Sequence, residues 1–252
     1  MPIIQALDRA LKIVDLFDEQ NKELKISEVS ARMNLHKSTV HSLLKTLQLN
    51  GYIAQDEQTS KYRLGMRFVE KGQLLLNNLD IRDIARSRLR GLSAATGQTT
   101  HLVMIEGREG IYIDKVEGEK AAIRYSRIGR RVPLHSSAAG KVLATFRPAD
   151  DRAQMMTGYV FEKRTEHTIN SLDDYMEELK QVEQQGFAID SEENEPGVRC
   201  AAAPIFNHNG QVIAAMSIST MVAHVDEQEL AKLIEQLRQE TAEISRQLGY
   251  HY

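Results

Sequence analysis

NLHKSTVHSLLKTLQLNGYI, residues 34–53, decides how the first part of this chain is read. Asn34 and Leu35 make a turn. Asn50-Gly51 closes the helix that follows, because glycine accepts the left-handed backbone of a helix cap. Helical spacing puts Val40, Leu43, Leu44 and Leu47 in one sector and Ser38, His41, Ser42 and Lys45 opposite. Short hydrogen-bonding groups and one long cation can approach base edges in a major groove without steric conflict. Lys37 and Thr39, at the amino end, are placed to meet base or phosphate, where the helix dipole favours an anion. Taken alone, such a helix is more simply a piece of packing with a solvated face. A solvated face, however, mixes charge signs. Here no acidic residue occurs between Glu28 and Asp56, whereas Arg32, Lys37 and Lys45 do. That window suits a surface that meets phosphate oxygens.

The flanking sequence supports a DNA-reading unit. Upstream, Leu7, Ala10, Leu11, Val14 and Phe17 recur at helical spacing. Ile26, Val29 and Met33 predict a short second helix with Ser27 as its cap. Downstream, Tyr52 to Ala54 and Lys61 to Leu64 read as strands joined by the polar turn Asp56 to Ser60. Three helices and a hairpin within residues 1–65 are the plan of a winged helix-turn-helix, with Lys61 and Arg63 as candidates for backbone contacts. Phe68, Val69, Gly72, Leu75, Leu76 and Leu79 then predict a connecting helix over residues 66–80. Its apolar side is costly to expose and suggests a subunit contact, unless it packs on its own domain.

Residues 81–252 read as an α+β domain. Ile84, Ala85, Leu89 and Leu92 mark a helix, followed by β-rich stretches at Thr99 to Glu106, Gly110 to Val116 and Ala122 to Tyr125. HSSAAGKVLATF and Leu172 to Val182 return to helix, and CAAAPIF and VIAAMSIS are two strands around the turn Asn207 to Gly210. The last helix starts at a capping box formed by Asp226 and Glu229, with Leu230, Leu233, Ile234, Leu237, Ile244 and Leu248 on one face.

Composition narrows the function. The net charge of -3 does not by itself suggest nucleic acid, so any basic patch must be local. Cys200 is the single cysteine, which rules out an intrachain disulfide. With no signal peptide and no apolar run of membrane-spanning length, no membrane partner is expected and a cytoplasmic location is. Gly140-Lys141 invites a phosphate-loop reading, which fails because His135 stands where glycine is needed and Val142 where Ser or Thr is. Ser136 and Ser137 lack a nucleophile elbow, and the scattered histidines make no metal-ligand spacing. Neither an enzyme, a metal nor a cofactor is expected.

At this point the sequence resembles a known family. The helices and wing, with YRLGMRFVEKG, IGRRVPLHSSAAGKVLA and GFAIDSEENEPGVRCAAAPIFNHNGQVIAAMSIS, closely resemble the IclR family of bacterial transcription regulators over essentially the whole chain. Within it, IRYSRIGRRVPLHSSAAGK looks most like the branch of repressors controlling ketodeoxygluconate and pectin-breakdown genes. The resemblance implies a winged helix-turn-helix, a linker helix and a GAF-like effector domain, assembled as a homodimer or homotetramer. It also implies two partners, a double-stranded DNA operator and a small effector.

By the same resemblance, pocket contacts map onto Val132, Ala138, Ala139, Asp190, Cys200, Ser217 and Ser219. The residues themselves agree with a pocket. Small side chains from Ser136 to Gly140 leave room for a ligand, and their N–H groups suit a carboxylate. Asp190 can accept from hydroxyls, and Ser217 and Ser219 share one strand face. Cys200 is equally a pocket wall or a core cysteine. Arg124 is a further candidate, suited to bidentate recognition of an organic acid; its alternatives are an ordinary exposed strand arginine or a salt bridge to the acidic stretch Glu192 to Glu195. The expected effector is a small hydroxylated carboxylate, a sugar acid or keto acid such as 2-keto-3-deoxygluconate. A second class of function stays open, in which the winged helix of a metabolite-binding or assembly module contacts protein instead of DNA.

Overall fold

The computed structural model describes residues 3–18, 20–77, 80–120 and 126–250. It divides the chain into two compact units, Met1–Asn78 and Leu79–Tyr252.

The first unit runs α1 (Gln5–Val14), α2 (Ile26–Met33), α3 (Lys37–Leu49), β1 (Ile53–Gln55), β2 (Tyr62–Leu64) and α4 (Arg67–Asn77). Its core gathers Ile13, Phe17, Leu24, Val29, Val40, Leu44, Ile53 and Tyr62. Complete burial of Val40 and Leu44 fixes the orientation of α3, so the opposite sector must face solvent. The predicted turns hold: Asn34 adopts a left-handed φ of 50° between α2 and α3, and Gly51 takes φ 76° after α3. The wing pairs Ala54 with Arg63, and Leu24 adds a bridge to Tyr62 from outside the predicted hairpin.

Two details of this unit, at α2 and α1, differ from the sequence reading. Ser27 lies inside α2 and is not its cap; Lys25 holds that place, with its N–H donating to Glu28 Oε2 at 2.6 Å. On α1, Leu7 and Leu11 are exposed, and Ile13 is the buried anchor. The helix ends at Val14, so the buried sector is set by the turn into Phe17 and not by the full apolar stripe. On α4, Phe68 packs edge-on against Tyr52 at 5.2 Å while Val69 and Leu74 stay exposed. Leu79 and the side chains of Leu75 and Leu76 lie outside the described residues.

The second unit is built on an antiparallel sheet ordered β5-β4-β3-β8-β7-β6. The strands are β3 (Thr99–Glu106), β4 (Glu109–Val116), β5 (Arg131–Pro133), β6 (Ala188–Ser191), β7 (Val198–Phe206) and β8 (Val212–Met221). The helices are α5 (Asp80–Thr96), α6 (Ala138–Thr145), α7 (Ala149–Met156), α8 (Leu172–Gln185) and α9 (Glu227–Gln247). One sheet face packs Leu102, Ala203, Met216 and Ile218 against Leu89 of α5 and Leu237 of α9. The other packs Val103, Tyr112, Ala202 and Ala215 against Ala139, Val142 and Leu143 of α6 and Val182 of α8.

The edge strands β5 and β6 are absent from the sequence reading, because three or four residues are too short to show a period, and so is the eight-residue helix α7, which fully buries only Met156 and therefore carries no apolar stripe. HSSAAGKVLATF begins later than predicted: Ser137 is the N-cap of α6, accepting from Gly140 N at 3.0 Å. Gly140 itself does not leave room for a ligand, since a β-carbon there would collide with the Pro133 carbonyl oxygen. The predicted strand Ala122 to Tyr125, and Arg124 with it, lies outside the described residues.

A bulge in the β3–β4 ladder sorts β4 between the two faces. Leu102 pairs with Asp114 and Val103 with Tyr112, which leaves Ile113 extra. Tyr112 therefore turns toward α6, whereas Asp114 turns toward α5 and approaches Arg82 at 3.6 Å and Arg86 at 3.9 Å.

Candidate functional site

On α3, Lys37, Ser38, His41, Ser42 and Lys45 are exposed and Thr39 is half-buried. No side chain caps the amino end of α3, so no side-chain oxygen competes there for the first-turn amides. Ser42 Oγ donates to the Ser38 carbonyl at 3.1 Å, a local bond that an acceptor in a groove can replace. In the wing, Arg63 is exposed on β2. Lys61 is half-buried and lies 3.8 Å from Glu23, a surface pair of little strength that leaves it able to turn to phosphate. The described part of this unit thus brings the predicted helix face together; Lys61 and Arg63 sit apart from it on the hairpin.

In the second unit, strand register assembles the other predicted residues. Asp190 pairs with Cys200, Cys200 with Ser219, and Ser219 with Thr99. One step along, Ala202 pairs with Ser217 and Ser217 with His101. All of these project to the sheet face that α6 covers, beside Val132, Ala138 and Ala139. Asp190, Ser217, Ser219, Val132, Ala138 and Ala139 are each at most 4% exposed, so the cluster is closed to solvent as described. Cys200 Sγ lies 3.0 Å from Ser219 Oγ, and burial pushes its thiol up, which keeps it neutral. Cys200 is a wall of the polar row and also packs on Val198, so the two readings of it are not exclusive.

Asp190 is the chemically distinctive member. Its Oδ1 accepts from the N–H groups of Glu193 at 2.8 Å and Asn194 at 3.2 Å. Burial and the nearby Glu193 carboxyl push its pKa up to about 7, against the opposing pull of those N–H bonds and of Lys141. A carboxyl poised there can be a hydrogen-bond donor or an acceptor at physiological pH.

Several residues of this neighbourhood escape a reading by motif. Lys141, 1% exposed, donates to Glu193 Oε1 at 2.6 Å, Glu178 Oε1 at 2.8 Å and the Ile189 carbonyl at 2.9 Å. It thereby ties α6 to the loop that carries Asp190; a lone cation inside the apolar run AAGKVLAT was the available signal. Ser136 Oγ reaches Asn194 Oδ1 at 3.5 Å. His101 and Tyr112, with ring centroids 4.8 Å apart, line the same face; His101 stood out only as the one titratable residue in TTHLVMI. Arg130 meets the acidic stretch, 3.9 Å from Glu195.

Among the described residues no group of three or more His, Cys, Asp and Glu could hold a metal ion. No described helix is long and apolar enough to cross a membrane.

The class of protein defined by a helix-turn-helix with such an outward, acid-free helix is the DNA-binding transcription regulator. Comparison with known proteins makes the assignment specific. Residues 6–57 match the IclR helix-turn-helix domain, and residues 73–246 match the bacterial transcriptional regulator IclR C-terminal domain. The chain is 53% identical over 250 residues to the HTH-type transcriptional regulator XynR of Escherichia coli, covering 99% of each. It is 38% identical to the regulator KdgR of the same species, covering 92% of this chain and 88% of KdgR. The crystal structure of Thermotoga maritima IclR superposes with a TM-score of 0.79 at 33% identity, covering 98% of this chain and 100% of that one. The chain belongs to the IclR family of transcriptional regulators. Both matched domains and these relatives are those of regulators and not of enzymes.

Proposed function

We propose that this regulator is a repressor whose hold on a double-stranded operator is released by a small hydroxylated carboxylate, a sugar acid or keto acid such as 2-keto-3-deoxygluconate. The observation that carries the reading is the buried polar row Asp190, Cys200, Ser219 and Ser217, set beneath α6 beside the apolar Val132, Ala138 and Ala139. Small-molecule sites set a few convergent polar groups against an apolar wall in this way. Val132, Ala138 and Ala139 form the apolar wall, and the exposed face of α3, with Lys61 and Arg63, contacts the DNA.

In this scheme residues 1–65 bind DNA, residues 66–80 link, and residues 81–252 form a GAF-like sensor, in a cytoplasmic homodimer or homotetramer. Helix-turn-helix dimers meet half-sites roughly 34–36 Å apart, so a ligand that favours another spacing weakens operator binding. A switch from 1:99 to 99:1 needs about 5.5 kcal/mol of differential affinity between the two arrangements. Selection of bound genomic fragments with and without a panel of sugar and keto acids tests the scheme. Fragments lost on adding one acid support it; calorimetry showing a neutral or cationic ligand bound, and no acid, overturns the effector class.

A further inference from the structure

His101 stands near the middle of the polar face, and no part of the motif reading accounts for it. The side chain is 1% exposed, and its Nε2 lies 2.8 Å from Ser126 Oγ. Its Nδ1 is buried and, among the described residues, has no hydrogen-bond partner. Most buried polar atoms are paired, and an orphaned one costs about 1–3 kcal/mol, so a persistent orphan calls for an explanation. Register places His101 directly opposite Ser217, and its ring lies against Tyr112, which packs on the same sheet face as Cys200. The unpartnered nitrogen therefore belongs to the same buried surface as the row at Asp190.

Resting on the reading of that surface as an organic-acid pocket, we propose that His101 is an effector-contact residue. Its Nδ1 donates a hydrogen bond to a hydroxyl or keto oxygen of the bound acid, and Ser126 sets the tautomer. A Ser126 hydroxyl donating to Nε2 leaves the ring proton on Nδ1, which then lacks an acceptor until the ligand supplies one. The ring remains neutral, because burial and the Lys115 ammonium push its pKa down to about 3. It adds a directed bond and no charge, so it selects for oxygen substitution and not for the carboxylate. Acids bearing a hydroxyl or keto oxygen are preferred over their deoxy counterparts by roughly ten- to hundredfold, the range of one well-made buried hydrogen bond.

The test is calorimetry on the full-length protein with gluconate, 2-keto-3-deoxygluconate, pyruvate, propionate and hexanoate. The variants are His101→Asn, whose amide falls near Nδ1, His101→Gln, whose amide falls near Nε2, and Asp190→Asn. We expect an oxygenated acid to bind the parent protein, His101→Asn to stay within about threefold, and His101→Gln to weaken at least tenfold. Nitrogen-15 NMR of histidine-labelled parent protein should show the His101 Nδ1 signal moving when that acid is added. An unmoved Nδ1 signal under saturating acid overturns the inference even if a variant fails to fold. Weakening by Asp190→Asn with unchanged affinity in His101→Gln overturns the role of His101 and leaves the acid pocket standing. Binding of propionate and hexanoate as tightly as the oxygenated acids does the same. Absence of binding to every acid, with another ligand class bound instead, overturns both readings.

Discussion

Lys141 Nζ lies 2.6 Å from Glu193 Oε1 inside the second unit, and it is the cation that holds the Asp190 loop to α6. All three ammonium hydrogens have acceptors, in Glu193, Glu178 and the Ile189 carbonyl. Replacing Lys141 by Met removes the charge but leaves Glu193, whose side chain is 11% exposed, without a counter-ion. The expected loss is about 3–5 kcal/mol, because an unpaired buried charge costs more than the pair contributes. Urea denaturation checks this, and adding Glu193→Gln to Lys141→Met should recover part of the loss. An unchanged midpoint in the single variant would show that Lys141 carries no such role.

If Asp190 meets the effector as proposed, effector binding should be sensitive to pH. Its carboxyl, raised to about 7, faces Glu193 and Lys141 and lies near Cys200 and Tyr112, of which burial keeps the last two neutral. A neutral Asp190 can donate to the ligand carboxylate, whereas an ionised one repels it. Affinity for an acid effector should hold below pH 7 and fall above it, by about tenfold per pH unit, as one proton is taken up on binding. Calorimetry from pH 6 to 8 checks the slope, which Asp190→Asn should flatten.

Stability follows the same groups with opposite signs. For Asp190 the folded pKa is raised, so the folded state binds the extra proton and its contribution is lost as pH rises from about 4 to about 7. For His101 the folded pKa is lowered to about 3, so its contribution is present above about 6.5 and lost as pH falls toward 3. His135, lowered by burial despite donating from Nε2 to the Glu162 carbonyl, acts in the same direction. The melting temperature of His101→Asn should therefore fall less steeply than that of the parent between pH 6.5 and 4.5, without becoming flat.

On the proposed DNA face, base contacts should be separable from phosphate contacts. His41→Ala or Lys45→Ala should weaken specific operator binding by roughly 1–3 kcal/mol and relax the sequence preference. Lys37→Ala, at the amino end of α3, should weaken all sequences about equally and lower the salt slope by about 1. Fluorescence anisotropy across salt concentrations, on cognate and scrambled duplexes, distinguishes the two patterns. Unchanged affinity and preference in both the His41 and Lys45 variants would move the reading face off α3.

By itself the sequence determined those features that rest on local periodicity and local charge. The α3 face, its glycine stop, the wing and the N-cap at Asp226 are set by residues within a few positions of one another. Ser217 and Ser219 could likewise be placed on one strand face, because the period of a strand is two. Only the tertiary structure decided which strands lie side by side, since pairing depends on contacts remote in the chain. That pairing sets Asp190 beside Cys200 and Ser219, puts His101 opposite Ser217, and turns Tyr112 and Asp114 to opposite faces at a bulge. Lys141 belongs to the same order of fact: a lysine within an apolar helix becomes intelligible only when Glu178 and Glu193, 37 and 52 residues further on, are brought within hydrogen-bonding reach.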